Sequence, residues 1–189
     1  MENSKADGDD SKKKGGSLPL RLAIAAVLAI GLILWMTLRD DDDSSSSSSS
    51  GAEIVSVDSL RETAAGQDAP IYWAGEQEGA ELELSQPDAD HTYVRYLTDG
   101  AEAGDPQPDF LTVSTYSTAD PVAALRSQGD EPGGVLGEAP GNATVYFNRS
   151  QPQSVYLAYP GVDVQIEVYD PDSKQALQLV NSGQIVSAD

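Results

Sequence analysis

The chain has 189 residues, a formal net charge of −20 and a pI near 4.1, with one histidine and no cysteine. Without cysteine there is no thiolate nucleophile, no covalent haem attachment and no cysteine-ligated zinc, and a single histidine excludes a multi-histidine metal cluster. A surface this acidic repels phosphate backbones, which argues against nucleic acid as a partner.

An uncharged apolar run near the N-terminus predicts a single transmembrane helix over residues 18–39. The core of this run, Leu22–Leu38, is 17 residues long and carries no charged side chain. A helix of about 20 residues spans roughly 30 Å, the hydrocarbon thickness of a bilayer. Arg21 and Trp35 stand near its two ends, where a long cationic stem and an amphipathic ring favour the headgroups. The lipid bilayer is therefore the expected partner of this segment.

The flanking charges predict the orientation of the helix. Lys and Arg number six before residue 40, and only Arg39 follows the apolar run. Because positive flanks stay in the cytoplasm, we expect residues 1–17 to form a disordered cytoplasmic tail and the rest of the chain to be extracytoplasmic. The alternative is a cleaved signal peptide, with an apolar core of about 7–15 residues and a small-residue cleavage site. The longer run, and the absence of such a site in Trp35–Asp40, favour an uncleaved signal anchor in the cell membrane.

Residues 40–51 predict a flexible tether, since four aspartates are followed by seven serines. A coil of about 12 residues has a root-mean-square reach of roughly 19 Å, enough to clear the headgroups. So soft a linker transmits conformational change poorly, which argues against a transmembrane receptor.

Residues 52–189 predict one acidic α+β domain, with five Lys and Arg against 23 Asp and Glu. Alternating polar and apolar residues favour a mostly antiparallel sheet, with strands at 70–74, 81–84, 92–97, 110–116, 143–148, 154–159 and 162–168. Cap signals predict two or three short helices: Val57–Gly66 capped by Asp58 or Ser59, one opening at Asp120-Pro121, and one opening at Asp170-Pro171. The strand–Asp-Pro–helix pattern occurs twice, so a duplicated ββα unit stays open.

The last predicted strand has the clearest alternation. Its apolar side should form one cluster with the preceding strand and the following helix, comprising Val162, Val164, Ile166, Val168, Val155, Leu157, Leu177 and Val180. Its polar side, Asp163, Gln165 and Glu167, is typical of a solvated face, as is the pair Glu81 and Glu83. The alternative is that the polar side of this strand forms a binding surface.

No catalytic, metal-binding or cofactor-binding residue is indicated, because no nucleophile elbow, phosphate-binding loop or H-E-x-x-H motif is present. His91 lies in a polar turn and is expected to be exposed. Arg95, between Tyr93 and Tyr96, is a rare cation that we expect to pair with a neighbouring carboxylate rather than with a ligand. The candidate binding residues are Tyr93, Arg95, Asp163, Gln165 and Glu167.

Five strings in the domain together carry a family resemblance: Ile71-Tyr-Trp-Ala-Gly75, Tyr93-Val-Arg-Tyr-Leu97, Gly104-Asp-Pro-Gln-Pro-Asp-Phe-Leu-Thr-Val113, Ser154-Val-Tyr-Leu-Ala-Tyr-Pro-Gly161 and Glu167-Val-Tyr-Asp-Pro171. Over residues 57–186 the chain resembles a family of uncharacterised, membrane-anchored extracytoplasmic proteins of high-GC actinobacteria. The resemblance implies the location and a single domain, and it implies no activity.

These observations predict a monomeric, non-catalytic binding or interaction module at the cell envelope, with a protein, peptide or glycan as partner. The alternative is an envelope hydrolase that uses carboxylates alone. Two carboxyl groups converging in an aromatic cleft, at the roughly 5–9.5 Å of glycosidases, would favour the hydrolase.

Overall fold

An eight-stranded antiparallel sheet forms the centre of the part of the chain that the computed structural model describes, residues 51–189. The strands are β1 (Glu53–Val55), β2 (Tyr72–Trp73), β3 (Glu81–Asp88), β4 (His91–Leu97), β5 (Thr112–Ser117), β6 (Gly134–Ala139), β7 (Ala143–Asn148), β8 (Gln151–Ala158), β9 (Val164–Tyr169) and β10 (Val186–Ser187). The order across the large sheet is β1-β3-β4-β5-β9-β8-β7-β6, and β2 pairs separately with β10. Every pair is antiparallel, which confirms the predicted sheet type.

Three α-helices complete the α+β fold: α1 (Val57–Ala65), α2 (Pro121–Gly129) and α3 (Ser173–Asn181), with a 3-10 turn at Pro140–Asn142. Helix α2 begins where predicted, because the Asp120 carboxylate accepts a hydrogen bond from the Ala123 backbone N–H. The predicted caps of the other helices are wrong. Ser56 caps α1, and Asp172 caps α3, because their side chains accept the first free backbone N–H groups.

The pleat gives the large sheet an apolar face and a polar face. The apolar face is covered by α1, by α3 and by the β2–β10 pair, which all contribute to one buried cluster. The predicted cluster around Ile166 is confirmed, with Val162 and Leu177 at its margin. Its buried members on the sheet and in α3 include Val155, Leu157, Val164, Ile166, Val168 and Val180.

The polar face is buried as well, which the sequence analysis did not anticipate. Helix α2 packs over β6 to β9, and residues 98–111 close over β3 and β4. The predicted solvated face is therefore wrong for Glu83, Gln165 and Glu167, which are 0%, 1% and 2% exposed. Glu81, on the same side of β3 as Glu83, and Asp163, just before β9, are exposed.

The two strand–Asp-Pro–helix units lie side by side without being equivalent. Their strands β5 and β9 are antiparallel neighbours at the middle of the sheet. The α2 residue Leu125 packs with Tyr146 on the polar face, whereas the α3 residue Val180 packs with Val155 on the apolar face. A two-fold axis through the sheet would put both helices on one face, so the arrangement does not support a duplicated unit.

Three strands were missed because their sequences carry weak signals. Strands β1 and β10 are three and two residues long, too short for a period to show. Strand β6 contains Gly134 and Gly137 and has no fully buried residue, so it lacks a buried apolar stripe.

The predicted cytoplasmic tail (1–17), transmembrane helix (18–39) and nearly all of the tether (40–51) lie outside the described residues. Within residues 51–189, no helix has the length and apolar character needed to cross a membrane.

We expect a fragment of residues 52–189 to fold alone as a monomer, because the strands and helices of these residues form two buried apolar clusters with one another. Size-exclusion chromatography and circular dichroism in moderate salt test this. A disordered spectrum would contradict it, and low salt should weaken the fold because a net charge of −18 on one domain is self-repelling.

Replacing Ile166, which is fully buried in β9, should lower the free energy of unfolding of this fragment. We expect Ile166→Ala to cost about 2–5 kcal/mol in urea denaturation, because it leaves a cavity in the apolar cluster. Ile54, 44% exposed in β1, is the matched control, and Ile54→Ala should change stability by less than about 0.5 kcal/mol. Equal losses for the two variants would mean that the packing of the sheet is misassigned.

Candidate functional site

The register of the strands aligns polar side chains in rows across the polar face. One row runs from Glu83 through Arg95 to Thr112. The next row crosses five strands and comprises Ser85, Tyr93, Ser114, Glu167 and Tyr156. The sheet thus brings together four of the five predicted binding residues, Tyr93, Arg95, Gln165 and Glu167, on one buried face. Asp163 lies apart, in the exposed turn before β9.

The first row contains a buried ion pair between Arg95 and Glu83. Arg95 Nη1 donates to Glu83 Oε1 at 2.9 Å, and both side chains are almost completely buried. Arg95 Nη2 donates to the backbone oxygens of Asp105 and Gln107, both at 3.0 Å, while the Gly104 N–H donates to Glu83 Oε2. The predicted pairing of Arg95 with a carboxylate is confirmed. The pair anchors residues 98–111 to the sheet and leaves Arg95 enclosed.

The second row places Glu167 among three hydroxyl groups. Tyr116 donates to Oε2 at 2.8 Å, and Ser154 and Tyr156 donate to Oε1 at 2.7 Å and 3.1 Å. No Lys or Arg pairs with this carboxylate among the residues that the structure describes. Neutral donors compensate a buried negative charge less than a cation does. The ionised form of this carboxylate therefore remains unfavourable inside the protein.

Burial therefore governs the protonation of this cluster. Desolvation raises the pKa of Glu167 above its ordinary value, although the three hydroxyl donors act in the opposite direction. Burial, followed by the charge of Glu167, raises the pKa of Tyr93 to about 12 and holds the pKa of Tyr116 well above 10.0. Both tyrosines stay protonated at neutral pH, and Tyr116 donates its hydrogen bond to Glu167, so neither is a good candidate for a general base.

Two buried glutamines accompany the cluster. Gln165 lies two residues before Glu167 on the same face of β9, and Gln128 extends from α2. Neither side-chain amide has a hydrogen-bond partner among residues 51–189. Buried amides of this kind are commonly satisfied by internal water. The polar face is thus an enclosed hydrogen-bonding layer rather than an accessible surface.

His91 is only partly exposed, because its ring contacts Asp88 and Tyr116. The Nδ1 atom lies 2.7 Å from Asp88 Oδ1, and the ring packs edge-on against Tyr116 at 5.5 Å between centroids. Desolvation alone would raise the pKa of Asp88, but hydrogen bonds from the Asp90 backbone and from His91 together lower it. The Asp88–His91 contact therefore stabilises the turn between β3 and β4.

An open groove, which we call the acidic groove, lies at the end of the sheet where β4 and β9 end and β5 begins. Its volume is about 520 Å³, and it is bordered by the start of α3. Its lining residues are Gln77, Glu78, Ala80, Tyr96, Thr98, Asp109, Phe110, Leu111, Asp170, Pro171, Asp172 and Gln175. Four of them are carboxylates and none is Lys or Arg, so the groove concentrates negative charge beside an apolar and aromatic floor.

The carboxylates of the acidic groove influence one another. Burial, together with the charge of Asp172, raises the pKa of Asp170, even though Asp170 accepts a hydrogen bond from the Asp172 backbone N–H. The pKa of neighbouring Tyr169 is raised by burial and then by the charges of Asp109 and Asp170. The negative potential at this end of the sheet is therefore not neutralised locally.

The sequence analysis missed the acidic groove as a site. It treated Asp170 and Pro171 as a helix start, and it assigned no role to Glu78 or Asp109. The lining residues come from segments near 78, 97, 110 and 171, which only the completed sheet brings to one place.

Glu167 gives a prediction for the pH dependence of stability. Its folded-state pKa exceeds the ordinary value of 4.5, so between the two values the folded state binds more protons than the unfolded state. Stability should therefore fall as pH rises from about 4.5 through the folded-state pKa, by about 1.4 kcal/mol per pH unit between the two pKa values.

The variant Glu167→Gln should remove this loss, because an amide carries no charge; its carbonyl oxygen accepts from two of the three hydroxyl groups, and its NH2 group donates to the oxygen of the third. We expect it to match the wild type near pH 4 and to be more stable above neutrality in urea denaturation. Glu81→Gln, an exposed position on the polar-face side of β3, is the control and should follow the wild type at all pH values. A constant difference between Glu167→Gln and wild type across this range would contradict the assignment.

Neither a cluster of metal-ligating side chains nor a similarity to a known protein identifies a further site in residues 51–189. In residues 51–189, no group of three or more His, Asp or Glu side chains is placed to hold a metal ion. Comparison of the chain with protein-family models, with curated proteins and with solved structures finds no match.

Proposed function

We propose that this protein is a single-pass, membrane-anchored binding module whose acidic domain faces the extracytoplasmic side. The observation that carries the proposal is the uncharged 17-residue run after five cations and before four aspartates. The resemblance to membrane-anchored extracytoplasmic proteins of actinobacteria supports the same location.

A non-catalytic role is favoured by the state of the interior carboxylates. Glu83 is neutralised by Arg95, and Glu167 is enclosed by hydroxyl donors and 2% exposed. Neither carboxylate can reach a polymeric substrate unless α2 or residues 98–111 move away from the sheet. Three exposed carboxylates, Glu78, Asp109 and Asp172, line the open acidic groove, a geometry suited to holding a ligand.

The carboxylate-dependent hydrolase is the second candidate, and Asp170 is the residue that favours it. Its raised pKa suits a general acid, and Asp109 and Asp172 line the same groove. Release of soluble fragments from purified envelope polymer by wild type, abolished in Asp170→Asn, would establish the hydrolase and refute a purely binding role. Retention of the polymer or of an envelope protein without turnover would support the binding module.

The absence of cysteine makes the orientation directly testable, because each single-cysteine variant has one thiol. A membrane-impermeant maleimide added to intact cells should label Glu102→Cys, in an exposed loop, and should not label Ser11→Cys, in the predicted tail. Both variants should be labelled after lysis, which controls for reactivity. Labelling of Ser11→Cys but not Glu102→Cys in intact cells would reverse the orientation.

A further inference from the structure

The acidic groove is built where the ends of several distant segments meet. The loop before β3, the end of β4, the start of β5 and the β9–α3 junction all reach this end of the sheet. Its floor includes Tyr96, Phe110 and Leu111, which the central strands and the Arg95 contact hold in place. The groove is therefore built against the central sheet, and the segments at its border carry its charges.

The charges of the groove have one sign. Glu78, Asp109 and Asp172 are exposed at its margin, and Asp170 lies deeper. Among residues 51–189 no Lys or Arg lines it, and the raised pKa values of Asp170 and Tyr169 have the neighbouring carboxylates among their causes. A cation placed here would be attracted by several carboxylates that currently repel one another.

We propose that the acidic groove binds a basic peptide segment of a partner protein, in which Lys or Arg residues alternate with apolar residues. This inference rests on the proposed function, because it names the partner chemistry of the binding module. The carboxylates match the cationic side chains, and the aromatic and aliphatic floor matches the apolar ones. The volume of about 520 Å³ suits a few side chains rather than a folded domain.

Other ligand classes fit the groove less well. Anionic glycans and phosphate-bearing polymers would be repelled by the four carboxylates. A divalent cation would require ligands grouped around one point, and in the described residues no such group of three or more occurs. A purely apolar ligand would leave the carboxylates desolvated without a partner.

The test uses the full chain in nonionic detergent micelles and a fluorescein-labelled peptide of alternating Lys and Leu, followed by fluorescence anisotropy. A peptide of alternating Lys and Ser carries the same charge without apolar side chains. We expect the Lys-Leu peptide to bind more tightly than the Lys-Ser peptide, since only the former can contact the floor. Equal affinities would overturn the proposed recognition of apolar residues.

A pair of charge-removing variants locates the binding site. Glu78→Gln with Asp109→Asn, both exposed at the groove, should weaken binding of the Lys-Leu peptide roughly fivefold or more. Glu62→Gln with Glu131→Gln removes the same charge from exposed positions outside the groove and should change affinity less than about twofold. Equal losses would show that the peptide senses only the overall charge, and would overturn the assignment.

The outcomes also separate this inference from the proposed function. If the wild-type chain binds neither peptide at low salt, the basic-peptide ligand is refuted, whereas the maleimide experiment still decides the membrane topology. If the topology is reversed but the peptide binds in the groove, the groove assignment stands and the extracytoplasmic role fails.

Discussion

Burial of both faces of one antiparallel sheet is the constraint on which the rest of the domain depends. A one-sided sheet can leave its polar face in water, and its polar residues then need no partners. Here α2 and residues 98–111 cover that face, so an ionised side chain on it needs a hydrogen-bond partner inside the protein. The Glu83–Arg95 pair bonds residues 98–111 to the sheet, whereas the hydroxyl cluster around Glu167 joins three strands of the sheet itself.

The two buried carboxylates, Glu83 and Glu167, differ in the partners that compensate their burial. Glu83 has a cationic partner, which itself bonds to the backbone of the covering segment, so charge and chain path are linked. Glu167 has only hydroxyl donors, so its charge remains costly and its pKa rises. One carboxylate thereby supports the attachment of a loop, and the other makes stability depend on pH.

Local signals in the sequence predict the elements, but not what covers them. The alternation around Ile166 correctly gives a strand with an apolar side, and Asp120-Pro121 correctly opens a helix, because both depend on neighbouring residues. The burial of Gln165 and Glu167 depends on α2 crossing over from a different part of the chain, so no period in β9 can reveal it. The acidic groove depends on four separate segments, and its residues look like ordinary loop and cap residues until the sheet assembles them.

Within residues 51–189, β1 and β6 are the outer strands of the large sheet, and each carries an exposed aliphatic side chain, Ile54 at 44% and Leu136 at 45%. Open strand edges invite pairing between molecules. At neutral pH, such pairing would bring together two domains that each carry a formal charge of −18. That repulsion weakens as the carboxylates are protonated below about pH 5, so the acidity of the surface also keeps neighbouring sheets from joining at neutral pH.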